Sequence, residues 1–246
     1  MLSFFFLVMT NLSFANEVTR HWVVITDSHG VGKFGEELTR HIKSAGPLSG
    51  YDFIASGASA PLQWQNNLFT TTCGYRESSQ AAAKARACYK LFTPSLKNVW
   101  AEQDIQESSQ RVTIIVLGTN FSTKPSRFEE HVKETVGLME VAYKMSNKCF
   151  WVGPPNMTRA PDFDVKAVEH RYSIIKRALR DLRTKGIAQT CQLIDSRLIS
   201  TYPKVGGDGI HYHWPWQKNI ETIQAATNWA NGVIEVINSK LIKHYE

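Results

Sequence analysis

The stretch VVITDSHGVGKFG, from Val23 to Gly35, decides how the rest of the chain is interpreted. Its apolar start belongs to a predicted buried strand, Trp22–Thr26, and its end opens a predicted amphipathic helix, Gly32–Lys43. Between them lies a polar turn that contains Ser28. The first N–H groups of a helix are unpaired and its dipole favours negative charge there, which suits a nucleophile that reacts through an oxyanion. Asp and Ser also cap helices, so this segment alone leaves both roles open.

The length and composition of the chain are typical of a globular protein. The chain has 246 residues, with 43% hydrophobic and 20% charged residues, which fits one globular α/β domain at residues 16–246. Its formal net charge is +6, but the basic residues are scattered and form no long run. This argues against an arm that binds nucleic acid, although a mildly basic surface is compatible with an anionic surface or polymer.

The first fifteen residues predict a secretory signal peptide. Residues 1–15 carry no charge, contain the apolar block Leu2–Met9 and end in Ser13-Phe14-Ala15, a small-x-Ala cleavage pattern. The block is too short to span a bilayer, so we expect a secreted or periplasmic protein without integral membrane association. No Lys or Arg precedes the block, and a start codon placed upstream of the mature chain is the alternative interpretation.

Four cysteines remain after the predicted cleavage. An even number in an exported chain indicates two disulfides, with three possible connectivities. We favour Cys73–Cys88, which closes a local loop, and Cys149–Cys191, which joins the starts of two strand-like runs. In a cytoplasmic protein all four would be free thiols. No CxxC or paired-histidine spacing supports a zinc site, and we expect no metal or other cofactor.

Apolar runs alternate with helical patterns along the chain, which predicts a parallel sheet of five strands covered by helices on both faces. The runs are Trp22–Thr26, Tyr51–Ala55, Val112–Leu117, Cys149–Val152 and Gln192–Ile194. The clearest helical patterns are Gly32–Lys43, Arg127–Met145, Val165–Thr184 and about Trp216–Ile242. Residues 61–110 are less regular. They predict a disulfide-containing insertion over the site, partly helical from Ser78 to Tyr89.

Polar residues and glycines follow these strands, where the functional crevice of such a sheet lies. They include Ser28 after the first strand, Gly57 after the second, Asn120 after the third, Asn156 after the fourth, and Asp208 and His211 after the fifth. An ester hydrolase needs an activated hydroxyl, a base and a group that orients the base. Ser28, His211 and Asp208 suit these roles in that order. The Ser28 and Gly57 N–H groups and the Asn120 amide could form an oxyanion hole.

These blocks together resemble the SGNH (GDSL-type) hydrolase family. The blocks Asp27-Ser28, Gly57, Gly118-x-Asn120 and Asp208-x-x-His211 appear in order, each after the expected strand, over nearly all of the mature chain. The resemblance implies a flavodoxin-like, three-layer α/β/α sandwich in which Ser28 and His211 are catalytic and Asp208 supports them. It also implies oxyanion donors from Ser28, Gly57 and Asn120.

Two positions depart from the family pattern. Thr26 stands where a glycine usually precedes the Asp-Ser pair, and Phe121 stands where many members have Asp. Neither change removes a catalytic group, but both make the substrate harder to infer.

Three further residues have two interpretations each. His29 could contact the substrate or be a solvated turn histidine. Asn156 could line the cleft or cap the segment that follows it. Trp214 could be a stacking platform for a sugar ring or could pack beneath the His211 loop.

The functional hypothesis from sequence is an exported serine esterase that removes O-acetyl or other short acyl groups from a carbohydrate. A cell-envelope glycan such as peptidoglycan is the specific expectation, and the expected partner is a carbohydrate or other acylated small-molecule or polymer substrate. A lipase or thioesterase that acts on longer acyl chains is one alternative. A non-catalytic glycan-binding protein on the same fold is the other.

Overall fold

The computed structural model describes residues 18–44, 48–66, 69–81, 85–103, 105, 109–187 and 191–242. The predicted signal peptide, residues 1–15, lies outside these ranges. Across the described residues, seven strands form one sheet with helices on both faces, so the predicted three-layer α/β/α architecture is confirmed.

The sheet has the order β4-β3-β2-β1-β5-β6-β7. The strands are β1 (Arg20–Thr26), β2 (Leu48–Ser56), β3 (Phe69–Ser78), β4 (Tyr89–Thr93), β5 (Gln110–Val116), β6 (Lys148–Val152) and β7 (Gln192–Ile194). Strands β2, β1, β5, β6 and β7 are parallel, which is the flavodoxin-like order of a doubly wound sheet. All five predicted strands are therefore present, and β1 lies at the centre.

The prediction that the sheet has only five strands is wrong, because β3 and β4 extend it as an antiparallel hairpin beside β2. The predicted helix from Ser78 to Tyr89 is also wrong: Ser78 ends β3, Tyr89 begins β4, and a turn follows β3. Residues 82–84 lie outside the described ranges. At both ends of the predicted helix strand pairing prevails over local helix preference, because Ser78 pairs with Asp52 and Tyr89 pairs with Gly74.

Alternation along β1 divides the core into two clusters. Trp22 and Val24 point into the cluster that contains Phe34 and Trp229, whereas Val23 and Ile25 point to the opposite side of the sheet. Because both faces of β1 are buried, its sequence is a continuous apolar run. The polar residues that follow this run lie at the edge of the sheet.

Six α-helices cover the sheet in the part of the chain that the structure describes. They are α1 (Lys33–Ser44), α2 (Pro61–Asn66), α3 (Leu96–Ala101), α4 (Phe128–Met145), α5 (Val165–Thr184) and α6 (Ile220–Ile242). Helices α1 and α6 contact each other on one face, and α4 contacts α5 on the other. The last helix begins at Ile220, later than the predicted Trp216. Within the described residues, no helix combines the length and apolar character needed to cross a bilayer.

Both predicted disulfides are present. Cys73–Cys88 links β3 to the residue before β4, and Cys149–Cys191 joins the starts of the neighbouring strands β6 and β7. The two bonds close segments of different length, with sequence separations of 15 and 42 residues. The longer segment includes the whole of α5.

Loss of the longer-range disulfide should destabilise the protein more than loss of the local one. Loop-closure entropy assigns about 4 kcal/mol to Cys149–Cys191 and about 3 kcal/mol to Cys73–Cys88. Urea unfolding of Cys149→Ala/Cys191→Ala beside Cys73→Ala/Cys88→Ala measures both values. A smaller loss for the 149–191 pair would contradict the loop-entropy explanation.

Candidate active site

The polar turn after β1 places Ser28 at the edge of the sheet. Residues Ser28–Val31 form a short 3₁₀ helix, and the side chain of Asp27 caps it by accepting a hydrogen bond from the His29 N–H at 3.1 Å. The capping role therefore falls to Asp27. The Ser28 hydroxyl instead lies 2.9 Å from Nε2 of His211.

The loop before α6 orients the ring of His211. One carboxylate oxygen of Asp208 accepts the backbone N–H groups of Ile210 and His211 at 2.9 and 2.7 Å. The other lies 2.7 Å from Nδ1 of His211. A carboxylate can only accept, so Nδ1 carries the proton and Nε2 is left free to accept from Ser28.

Electrostatics favour this protonation pattern. Burial lowers the pKa of His211 below its usual range, although the contact with Asp208 opposes this shift. Burial alone would raise the pKa of Asp208, but hydrogen bonds from His211 outweigh it and hold that pKa at about 2. Asp208 is therefore ionised and His211 neutral at pH 7, which is the state that a general base requires.

A close contact between two loops fixes the distance between Ser28 and His211. His213 donates from Nε2 to the Gln217 carbonyl at 3.0 Å, so its Nδ1 can accept the Lys33 N–H at the start of α1, at 3.2 Å. At Gly32, a Cβ atom would lie 2.0 Å from the His213 carbonyl oxygen. Only glycine allows the two backbones to approach this closely.

Gly32→Ala should therefore separate the two loops and slow ester hydrolysis strongly without unfolding the sheet. The predicted loss is at least about 100-fold in kcat/KM, because misplaced reacting groups lose much of their positioning advantage. Gly137→Ala is the matched control, because its added Cβ would meet only the flexible end of Gln65. Ester hydrolysis assays and circular dichroism of both variants test this, and full activity in Gly32→Ala would refute it.

The candidate oxyanion donors differ in how free they are. The Asn120 amide donates one N–H to the Ser59 carbonyl at 2.9 Å, which holds the side chain and leaves the second N–H available. As the first residue of its helical turn, Ser28 has an N–H without an intrahelical acceptor. The N–H of Gly57, however, already donates to the Cys73 carbonyl at 2.8 Å. Gly57 lines the cavity beside Ser28 as predicted, but its N–H is already used in this hydrogen bond and is not free to bind an oxyanion.

The neighbour of Gly57 offers a free donor in its place. Ala58 lines the same cavity, is exposed and has a φ of 60°, in the left-handed region that alanine rarely adopts. Among the described residues, its N–H has no hydrogen-bond partner. Strained backbone of this kind concentrates at functional sites.

A cavity of about 450 Å³ opens beside Ser28 and His211. The hairpin contributes residues 70–73 to its wall, and the His211 loop contributes Trp214, whose ring centroid lies 4.1 Å from that of His211. Trp214 also stacks on the exposed Trp216, with centroids 5.0 Å apart and rings nearly parallel. An aromatic surface therefore extends from the cavity to solvent.

Arg159 and Phe163 also line this cavity, and the sequence analysis did not single them out. They lie in the loop after β6, and the rule that crevice residues follow strand ends could have found them. The guanidinium of Arg159 lies over the ring of Phe163, 4.9 Å from its centroid. This pair provides a cation at the cavity wall.

Neither of two predicted substrate contacts is at the cavity. His29 is buried, packs edge-on against Trp229 and does not line the cavity, so it is neither a substrate contact nor a solvated turn residue. Burial also holds its pKa well below the usual range. The Asn156 side chain donates to the carbonyls of Arg197 and Ser200, so it neither lines the cavity nor caps the following segment. The sequence could not reveal these two positions, because the partners of His29 and Asn156 are distant from them along the chain.

Asp27, the residue before Ser28, is fully buried. Burial raises its pKa to about 7, although hydrogen bonds from His29 and Thr119 and the nearby charge of Arg171 oppose the shift. The unfolded carboxyl ionises near its ordinary value of 3.8, whereas the folded one keeps its proton up to about pH 7. The folded state therefore binds more protons in this interval, and stability falls as the pH rises through it.

Asp27→Asn should remove this pH dependence, because asparagine keeps the capping acceptor and carries no charge. At about pH 8 the variant should gain stability over the wild type, on the order of 4 kcal/mol at most, with little difference at about pH 4. Urea unfolding at both pH values measures the difference. Parallel stability curves for the two proteins would contradict the prediction.

The fold was compared with known proteins. No protein-family model matches the chain, and no curated protein matches it significantly in sequence. Among solved structures, the inhibitor-bound aryl esterase of M. Smegmatis aligns at 11% identity and a TM-score of 0.55, over 89% of this chain and 99% of that one.

Two other solved structures are carbohydrate esterases. A family two carbohydrate esterase from Clostridium thermocellum aligns at 15% identity and a TM-score of 0.50, over 90% of this chain and 64% of that one. A carbohydrate acetylesterase family member from Sinorhizobium meliloti aligns at 14% identity and a TM-score of 0.49, over 88% and 98%. At these identities, the two structures with TM-scores of 0.50 or more show that the chain shares the α/β fold of these esterases, with a sheet of seven strands.

Proposed function

We propose that this protein is a serine esterase of the SGNH type. The observation that carries the proposal is the continuous line of hydrogen bonds from Ser28 Oγ through the His211 ring to the Asp208 carboxylate, at 2.9 and 2.7 Å. A nucleophile, a base and an orienting group in this order are the arrangement that activates a hydroxyl for acyl transfer.

The mechanism follows from these contacts. His211 Nε2 takes the Ser28 proton while Oγ attacks the ester carbonyl carbon. The resulting oxyanion is stabilised by the Ser28 N–H, the free N–H of Asn120 and, in this proposal, the N–H of Ala58. His211 then gives its proton to the departing alkoxide, which leaves an acyl group on Ser28. Water, deprotonated by His211, releases the acid and restores the hydroxyl.

For the substrate we propose a short acyl ester, acetyl above all, on a carbohydrate. The wall formed by residues 70–73 contains three threonines, and polar hydroxyl groups suit a small acyl group better than a long alkyl chain. The Trp214 and Trp216 rings offer apolar faces beside the nucleophile on which a sugar ring can lie. The Clostridium thermocellum carbohydrate esterase shares the fold.

Export to the cell envelope forms part of the proposal. Two disulfides are compatible with an oxidising compartment, and residues 1–15 have the pattern of a signal peptide. An O-acetylated envelope glycan such as peptidoglycan is the polymer that this location would supply.

Hydrolysis of p-nitrophenyl acetate, butyrate and octanoate tests the reaction and the acyl preference. The wild type should cleave acetate fastest, and Ser28→Ala should lose on the order of 10,000-fold in kcat, since loss of the nucleophile leaves only binding and oxyanion stabilisation. Rates that rise with chain length would favour the lipase or thioesterase alternative. Equal rates for the folded Ser28→Ala variant and the wild type would refute a nucleophilic role for Ser28.

The pH dependence provides an independent test of His211. The base acts only when neutral, so kcat/KM should fall as the pH drops through the pKa of His211, with a midpoint below the usual value of 6.5. Asp208→Asn removes the contact that raises this pKa, so its midpoint should shift further down while kcat falls. A wild-type midpoint above 6.5 would contradict the assignment.

A further inference from the structure

A second cavity, of about 1120 Å³, lies at the opposite end of the sheet from Ser28. Its wall includes Lys148, at the start of β6, and Gln192, at the start of β7, whereas the esterase site lies past the carboxyl ends of the parallel strands. Residues of α5 and Lys240 near the end of α6 form other parts of the wall. We call this cavity the basic groove.

Among the residues that the structure describes, five positively charged side chains and no carboxylate line the basic groove. They are Lys148, Lys176, Arg180, Arg183 and Lys240. Three of them recur at helical spacing on α5 and therefore face the same side of that helix. The chain as a whole has a net charge of only +6, so this groove is a strong local concentration of positive charge.

None of these five cations has an acidic partner among the described residues. Other basic residues on the same helices do: Arg177 pairs with Asp181, and Lys185 pairs with Glu140. Like charges four residues apart disfavour a helix, so the fold itself gains nothing from leaving them unpaired. A negatively charged ligand would relieve this repulsion.

The remaining wall of the basic groove favours a sugar over other anions. Tyr143 offers an exposed aromatic face and a hydroxyl, and Ser146, Asn147 and Gln192 offer hydroxyl and amide groups for hydrogen bonds. Sugars present hydroxyl groups and apolar ring faces that such groups recognise. A flat anionic membrane would not enter a concave groove.

We propose that the basic groove binds an acidic polysaccharide, through carboxylate or sulfate groups on successive sugars. The proposal does not depend on the esterase reaction, because none of the groove residues contacts Ser28, His211 or Asp208. Lys176, Arg180 and Arg183 form the charged row along the polymer, and half-buried Lys148 and Lys240 bind from the floor.

Fluorescence anisotropy with labelled polygalacturonate tests the proposal on the full chain. The wild type should bind, more weakly at about 200 mM than at about 50 mM salt because screening weakens the charge pairs. Lys176→Gln/Arg180→Gln/Arg183→Gln should bind about tenfold or more weakly, since three ion pairs are lost. Lys97→Gln/Lys133→Gln/Lys166→Gln is the matched control, with the same loss of charge outside the groove and binding within about twofold of the wild type.

Several outcomes would overturn the proposal. These are no binding by the wild type, equal weakening in the two triple variants, or tighter binding of duplex DNA or anionic vesicles than of polygalacturonate. Thermal unfolding of each variant shows that it is folded. Ser28→Ala should bind the polymer like the wild type, so a failure of the esterase proposal leaves this measurement interpretable.

Discussion

The contact between Gly32 and the carbonyl of His213 is the constraint on which the candidate site depends. Ser28 and His211 are far apart in sequence and lie on separate loops, and their hydrogen bond forms only because these loops meet without a side chain between them. The Lys33 N–H at the start of α1 also donates a hydrogen bond to His213 Nδ1, which holds the two loops together. The geometry of the proposed Ser28–His211 pair is thus set by backbone packing a few residues away from these two side chains.

The polar side chains on either side of Ser28 are buried, which costs free energy that the surrounding contacts offset. Asp27 caps the turn but holds a raised pKa in its buried position, and His29 fills the space against Trp229. From the hairpin side, Arg86 lies over the Phe53 ring and donates to the Gly30 carbonyl at 2.8 Å. The turn is therefore held from the sheet, from α6 and from the hairpin, which limits its freedom to move.

Much of this arrangement could be predicted from sequence because its signals are local. Strands buried on both faces appear as apolar runs, and the rule that crevice residues follow the strands pointed to Ser28 after β1, Asn120 after β5 and His211 after β7, all of which line the cavity. The hairpin could not be predicted in this way, since edge strands pair with partners set by the tertiary fold. For the same reason, the hydrogen bond that the Gly57 N–H donates could not be predicted, because its acceptor, the Cys73 carbonyl, lies on that hairpin.

The position of the hairpin has an evolutionary consequence. Strands β3 and β4 lie at one edge of the sheet, carry their own disulfide and supply a wall of the cavity, whereas Ser28, Asp208 and His211 come from elements outside the hairpin. If the proposed esterase reaction is correct, replacements among the wall residues would alter which acyl group fits and leave the contact between Ser28 and His211 intact. Related chains could therefore evolve different acyl-group preferences while they keep the same proposed reaction at Ser28, His211 and Asp208.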